Sequence, residues 1–449
     1  MNPNQAKNNW IFIISFLIVF FSTICNFTFG QSTVRHLSLN DAIELGLKNS
    51  HRLHASYDRI LQANAQVDDA KNNRIPDMSV TGSYLRLNNP NIKMMAGNSG
   101  SPVDSSTQFP KVHQAMYALA NVDFPVFTGG KIKYGIESAK YLQQAASLDA
   151  ASDTQAVILN TVEAYVNLYK SSAVVGVIKQ NLAQSQLRDS ILIRMENNGL
   201  LARNDRLKAQ LQTSDIELSL LDAQSNHKIA MMNMDLLLGL PEQTQLITDS
   251  SEFKLPQDIQ TITDLQQISL SGRKDLLALQ QRQQAAQTGI KLAHTNYVPS
   301  IILTAGYAAA DIPKVFRITN AVNVGIGIKY NISSLWKTKP KIDEALARYH
   351  ELNEDEAQKE DDIKLQVNKS FENFLLQQKK INVFQSAVQQ AEENARITKN
   401  KFDNQLLNTT DLLDANVLLL QSEINLAVGK ADLYLSYTKV LESAGILFK

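Results

Sequence analysis

Seven histidines and one cysteine bound the chemistry open to this 449-residue chain. Only His51 and His54 lie close together, three apart on an expected helix, and no obvious third ligand follows to complete a metal site. His36, His113, His227, His294 and His350 are scattered. Met231, Met232 and Met234 form a thioether cluster of the kind soft metals favour. Leu236, Leu237 and Leu238 follow directly, and packing is the simpler reading. Cys25 alone excludes a disulfide framework and every multi-cysteine metal site. No phosphate loop, nucleophile elbow or zinc-helix motif is present. Neither an enzyme nor a bound cofactor or metal is expected. The residues that still invite a role are acidic. Asp411 and Asp414 lie three apart where a helix starts, so one side can present both carboxylates. Asp205 and Asp411 also suit helix N-capping, which contributes about 1 kcal/mol.

Composition narrows the class further. Forty-four basic residues balance 44 acidic ones, which argues against a nucleic-acid partner. An apolar fraction of 44% is too high for a disordered chain. Only one stretch is apolar enough to suggest a membrane span, and it is N-terminal. Lys7 precedes an apolar run from Trp10 to Phe21, and Thr28-Phe29-Gly30 ends it with small residues. This pattern predicts an export signal over residues 1–30. Ile24 before Cys25 is a poor context for lipid attachment. The mature chain, from Gln31, would then hold no cysteine, which suits an oxidising compartment.

Proline placement shows which elements must carry these residues. None of the eleven prolines falls in residues 126–240 or 341–449. Proline costs about 3 kcal/mol inside a helix, so such runs permit very long helices. Ile363, Val367, Phe371, Phe374, Ile381, Phe384, Val388, Ala391 and Ala395 recur largely at steps of three and four. Leu413, Val417, Leu420, Ile424, Ala431 and Tyr434 continue the stripe, and Val162, Tyr165 and Tyr169 repeat it in the first run. Each run has one break, at Asn197-Asn198-Gly199 and at Asp403-Asn404-Gln405. A helix from Lys131 to Asn197 would measure about 100 Å. The charge run over 351–364 reads as a solvated helix face.

The chain also repeats itself. Residues 75–84 pair with 298–307 at an offset of 223, and Tyr165, Asp205, Leu207 and Ala209 pair with Phe371, Asp411, Leu413 and Ala415 at an offset of 206. The difference places extra length, read as a longer loop, between residues 85 and 116. Met78, Val80 and Tyr84 alternate with Ser79, Thr81 and Ser83. Val322, Val324, Ile326, Ile328 and Tyr330 alternate with Asn323, Gly325, Gly327 and Lys329. Strands of about ten residues with one apolar face suit an outer-membrane barrel, although a half-buried soluble sheet alternates identically. Strands are expected near 76–88, 114–125, 299–310 and 320–331. Four strands cannot close a barrel, and open edges cannot face lipid, so several copies must assemble.

With Leu39-Asn40-Asp41-Ala42-Ile43, Phe124-Pro125-Val126-Phe127-Thr128-Gly129-Gly130, Gly199–Asp205 and Thr410–Ala415 in this order and duplication, the chain resembles the TolC-like outer-membrane efflux channel family. The resemblance covers nearly all of residues 38–449. It implies an α+β membrane protein with two structural repeats, residues 31–240 and 264–449. Their long helical hairpins, about 130–240 and 335–445, would form a trimeric α-barrel tunnel below a twelve-stranded outer-membrane β-barrel. An equatorial linker, 241–263, would form a belt with the C-terminus.

The resemblance further implies a homotrimer in outer-membrane lipid, reaching into the periplasm. It would conduct substrates passively from an inner-membrane pump and a periplasmic adaptor in efflux or type I secretion. Asp411, Asp414, Asn204, Asp205 and Phe402 match the periplasmic gate. Asn198, Gly199, Leu200, Asn404, Gln405 and Leu406 are the expected adaptor contacts at the hairpin tips. Phe402 lacks the hydroxyl that links coils in relatives, Leu407 stands where some carry an arginine, and Gln405 replaces a glycine. Arg203 is a candidate substitute cation for that latch. The rival reading, a periplasmic adaptor or exported coiled-coil scaffold, leaves the two matched strand pairs unexplained.

Overall fold

A computed structural model describes residues 34–88, 112–242, 244–249, 253, 260–313 and 316–447. The expected export signal, Cys25 and most of the extra length assigned to a loop before residue 116 lie outside these residues. In chain order the elements are β1 (Val34–Leu37), α1 (Leu39–Asn49), α2 (His51–Asn72), β2 (Asp77–Arg86), β3 (Gln114–Phe127), α3 (Lys131–Asn197) and α4 (Arg203–Leu238). Then follow β4 (Gln245–Thr248), α5 (Ile262–Gly272), α6 (Lys274–His294), β5 (Ser300–Ile312), β6 (Phe316–Lys329), α7 (Ser334–Asp403) and α8 (Thr409–Ser443). The second seven elements repeat the types and order of the first seven.

The described chain divides into two compact units. One comprises Met1–Leu53, Thr154–Ser269 and Leu365–Lys449; the other comprises His54–Asp153 and Leu270–Lys364. Compactness thus cuts across the repeats, because each unit draws on both halves.

The second unit holds an antiparallel four-stranded sheet in the order β2-β3-β5-β6. The register aligns Met78, Val122, Ala305 and Val324 in one row, and Val80, Ala120, Tyr307 and Val322 in the next. Residues alternate between faces along a strand, so these rows form one face. It is apolar and open: Val80, Val324, Ile326 and Ile328 are 73–83% exposed. The opposite face carries Ser79, Asn121, Gly306 and Asn323 in a matching row. β6 begins four residues before its expected start. The pairing jumps between Ala308 and Ala310, and Asn320 sits at φ 60° with its N–H donating to the Tyr307 hydroxyl. That bulge shifts the side-chain alternation by one, so the sequence pattern stopped there. Below the sheet, α6 is tied to α7 by charge. Burial would raise the Asp275 carboxyl, but Arg273 and Lys359 outweigh it and hold the group well below the usual carboxylate range.

The first unit packs its core around Tyr165, which is fully buried with Leu37, Ile158, Val162, Met234, Leu238 and Ala431. The Tyr165 hydroxyl donates to the Leu37 carbonyl (3.0 Å) and accepts from the Asp249 N–H (3.1 Å). It thereby ties both short strands, β1 and β4, to α3. These strands pair in parallel; β1 was not foreseen from sequence. Phe253, from the 241–263 stretch, packs edge-on against Tyr169 at 4.9 Å and lies against Tyr434 at 5.0 Å. Of the expected helical stripe, Ile363, Val367 and Phe374 are buried. Val417 is a correction: it is 51% exposed, because the buried face at that end of α8 centres on Thr409, Leu412 and Leu413. Gly429 is required by packing, since a Cβ there would lie 2.8 Å from the Phe384 ring. Met234 is 0% exposed and Met231 partly buried against the same core.

Asp235 lies inside this core at 0% exposure. Burial pushes its carboxyl up to about 6, and the Thr244 backbone amide pulls the other way. A carboxyl raised in the folded state favours folding below its unfolded pKa and loses that contribution as pH rises through the folded value. We expect Asp235→Asn to melt above the wild type at pH 8, with the advantage shrinking towards pH 5. Circular dichroism melts of detergent-solubilised protein measure this, and a pH-independent difference would contradict it.

Candidate functional site at the paired helix turns

Each pair of long helices meets at a short turn, and the two turns are built alike. In the first, Gly199 N–H donates to the Glu196 carbonyl (2.9 Å) and Leu200 N–H to the Met195 carbonyl (2.8 Å). In the second, Gln405 N–H donates to the Phe402 carbonyl (2.9 Å) and Leu406 N–H to the Lys401 carbonyl (2.8 Å). This paired closure requires a left-handed residue, here Gly199 at φ 72° and Gln405 at φ 62°. The following leucines project outward: Leu200 is 58% exposed and Leu406 72%. Asn198, Gly199, Asn404 and Gln405 are exposed beside them, whereas Leu407 is half-buried like its counterpart Leu201.

The helices that leave the turns start differently. Asn408 caps α8, its side-chain oxygen accepting from the Asp411 N–H at 2.9 Å. Ala202 precedes α4 and offers no side-chain cap. Asp205 and Asp411 are therefore first-turn residues, not N-caps, which corrects that part of the sequence reading. Their carboxylates still favour the positive helix end by about 0.3–1 kcal/mol. Asp411, Asp414 and Asn204 are exposed, and Asp205 is half-buried with Lys208 Nζ 3.5 Å away. Arg203 is exposed as well.

Phe402, expected at the gate, is buried within its own chain. It is 6% exposed and packs with Leu192, Ala209, Leu412 and Leu413. Its counterpart at the 206-residue offset is Glu196, and Leu412 corresponds to Arg206. Glu196 and Arg206 form an ion pair across the first turn. The same two positions are thus joined by charge in one turn and by apolar contact in the other. Sequence reading found neither this exchange nor the Asn408 cap, although the offset that reveals both was visible.

Farther up the hairpins, Ser185 and Thr213 share a hydrogen bond at 2.6 Å, and Arg188 donates to Ser185 at 2.7 Å. Burial lowers the Arg188 guanidinium from its ordinary value. Nearby, α3, α7 and α8 enclose a groove of about 440 Å³ whose walls include Leu187, Ile191, Glu392 and Leu412. His51 and His54 lie exposed in the first turn of α2. Among the described residues no group of three or more His, Cys, Asp or Glu is placed to hold a metal.

The chain thus joins an exposed apolar sheet face to very long helices in a twofold repeat. The sequence profile of the outer membrane efflux protein family matches residues 42–240 and 265–445, so the chain belongs to that family. It is an outer-membrane efflux channel that extends into the periplasm. No curated protein matches the sequence. Among solved structures, the Vibrio cholerae outer membrane protein VceC is 19% identical with a TM-score of 0.74, the match covering 91% of this chain and 96% of that one. The Campylobacter jejuni CmeC outer membrane channel is 17% identical at TM-score 0.78, covering 92% and 86%. The Neisseria gonorrhoeae MtrE outer membrane channel, solved in an open state, is 14% identical at TM-score 0.70, covering 91% and 89%.

The two turns yield a direct comparison. A non-glycine residue in the left-handed region costs about 1 kcal/mol, and nothing lies within 4 Å of a Cβ built at Gly199. Gln405→Gly should therefore stabilise by roughly 0.5–1 kcal/mol, and Gly199→Ala should destabilise by a similar amount. Thermal midpoints of the purified variants test both; a common sign would show that backbone strain is not what separates the turns.

Proposed function

We propose that three copies of the chain assemble into the passive exit duct of a tripartite efflux or type I secretion system. Each copy supplies four strands to a twelve-stranded barrel, and α3, α4, α7 and α8 to a periplasmic tunnel. The observation that carries this reading is the four-stranded sheet. Its apolar face is open, and β2 and β6 each have one hydrogen-bonded neighbour among the described strands. In lipid, an unpaired strand edge costs several kcal/mol per orphaned group, so a spanning sheet must close on other copies. The chain performs no catalytic step. An inner-membrane pump supplies the energy, and a periplasmic adaptor connects it to the duct. Migration as a heat-modifiable trimer from an outer-membrane fraction is the expected result, and a soluble periplasmic monomer would overturn the proposal.

The turns form the periplasmic end of this duct. Asp411 and Asp414, with Asn204 and Asp205 beside them, line its constriction, where threefold repetition makes rings of carboxylates that attract cations. Leu200 and Leu406, flanked by Asn198, Gly199, Asn404 and Gln405, meet the adaptor. Replacing Asp411 and Asp414 with alanine should weaken cation selectivity and block by multivalent cations in planar bilayers. Unchanged conductance and block would take both residues out of the pore.

A further inference from the structure

A cluster of lysines lies where strands become helices. Residues 124–134 and 329–341 contain six lysines, Lys131, Lys133, Lys329, Lys337, Lys339 and Lys341, and no carboxylate. The whole chain is balanced at 44 to 44, so this is local segregation. It is also duplicated. At the 206-residue offset Lys131 corresponds to Lys337, Lys133 to Lys339, Phe124 to Tyr330 and Val126 to Ile332. The aromatic pair is 38% exposed at both positions, and Val126 and Ile332 are 60% and 64% exposed.

The first turns of α7 extend the pattern. Ser334, Thr338 and Ile342 are its buried stripe, whereas Leu335 and Trp336 are 55% and 63% exposed and Lys337, Lys339 and Lys341 are exposed beside them. Lys339 pairs with Asp343 at 2.9 Å, and Lys133 lies 5.7 Å from the Tyr134 ring centre. No carboxylate among the described residues pairs with Lys131, Lys337 or Lys341. These residues continue the open apolar sheet face at its helix-bearing end. Tryptophan and tyrosine with flanking lysines match a bilayer interface, with rings at headgroup depth and ammonium groups among phosphates.

The geometry points to a binding collar for anionic phospholipid headgroups of the periplasmic leaflet, made by Lys131, Lys133, Lys337 and Lys341 around the Trp336 anchor. It rests on the reading of the sheet as a lipid-facing barrel wall. Each lysine near an anionic surface adds to the attraction, so a preference among lipids should be measurable.

Trp336 is itself the probe, because the chain's other tryptophan is Trp10. In a Trp10→Phe background, the protein is reconstituted into phosphatidylcholine vesicles doped with brominated phosphatidylglycerol or, at the same fraction, brominated phosphatidylcholine. The expected result is at least about twofold stronger quenching by the anionic lipid. High salt should remove that preference in the unaltered protein, and so should Lys→Gln substitution at 131, 133, 337 and 341. The control K369Q/K379Q should retain it. Equal quenching by the two lipids, or a preference indifferent to salt and to the four substitutions, would overturn the collar. Absence of quenching by either lipid in protein that floats with vesicles as a heat-modifiable trimer would mean that Trp336 is covered by protein, and would overturn the collar alone. Failure to float would overturn the barrel reading beneath it.

Discussion

Everything in this protein answers to one requirement: a backbone amide or carbonyl facing lipid must find its partner in protein. Four antiparallel strands satisfy that requirement at three interfaces and leave the outer edges of β2 and β6. The exposed Val80, Val324, Ile326 and Ile328 show that the sheet does not meet the requirement by burying itself in its own chain. A sheet of this kind is a fragment of a larger closed surface. In the proposed duct its apolar side chains are stabilised by lipid and its edges by other copies, which would make assembly part of folding.

The duplicated chain meets the same geometric demand twice with different chemistry. Both helix turns close through the same pair of backbone hydrogen bonds. One uses glycine at the left-handed position and the other glutamine. Across one turn stands the ion pair of Glu196 and Arg206; at the equivalent positions of the other stand Phe402 and Leu412. The ion pair is largely covered, its side chains 19% and 24% exposed, so desolvation offsets much of its attraction. A buried phenylalanine contributes about 1.5–3 kcal/mol. The apolar turn therefore also supplies the core of the tip, with Leu192 and Ala209 of the first hairpin packed against it. Phe402 drew attention as a missing hydroxyl, and its physical role is to hold two hairpins together.

Sequence patterns were most informative where one periodicity ran unbroken. The proline-free runs marked α3 with α4 and α7 with α8, because helix formation tolerates most residues and rejects proline. Alternation marked the strands, and it stopped short in β6 because the bulge at Asn320 shifts every side chain before it to the other face. β1 was missed because four residues carry too little periodicity to stand out, and because its partner β4 lies about two hundred residues away. At the turns, Asp205 and Asp411 looked like caps. Whether a residue is the cap or stands three places later depends on the backbone of the residues before it, which composition does not reveal.

The sequence alone therefore determined the repeat, the long helices, the apolar strand faces and the family to which they belong, because each is written in local periodicity or spacing. Only the tertiary structure decided which aspartates are exposed and which ring is core. It also showed that the chain compacts across its repeats rather than within them. Those outcomes depend on contacts between distant segments, such as the Tyr165 hydroxyl joining Leu37 to Asp249, and no local pattern encodes such a meeting.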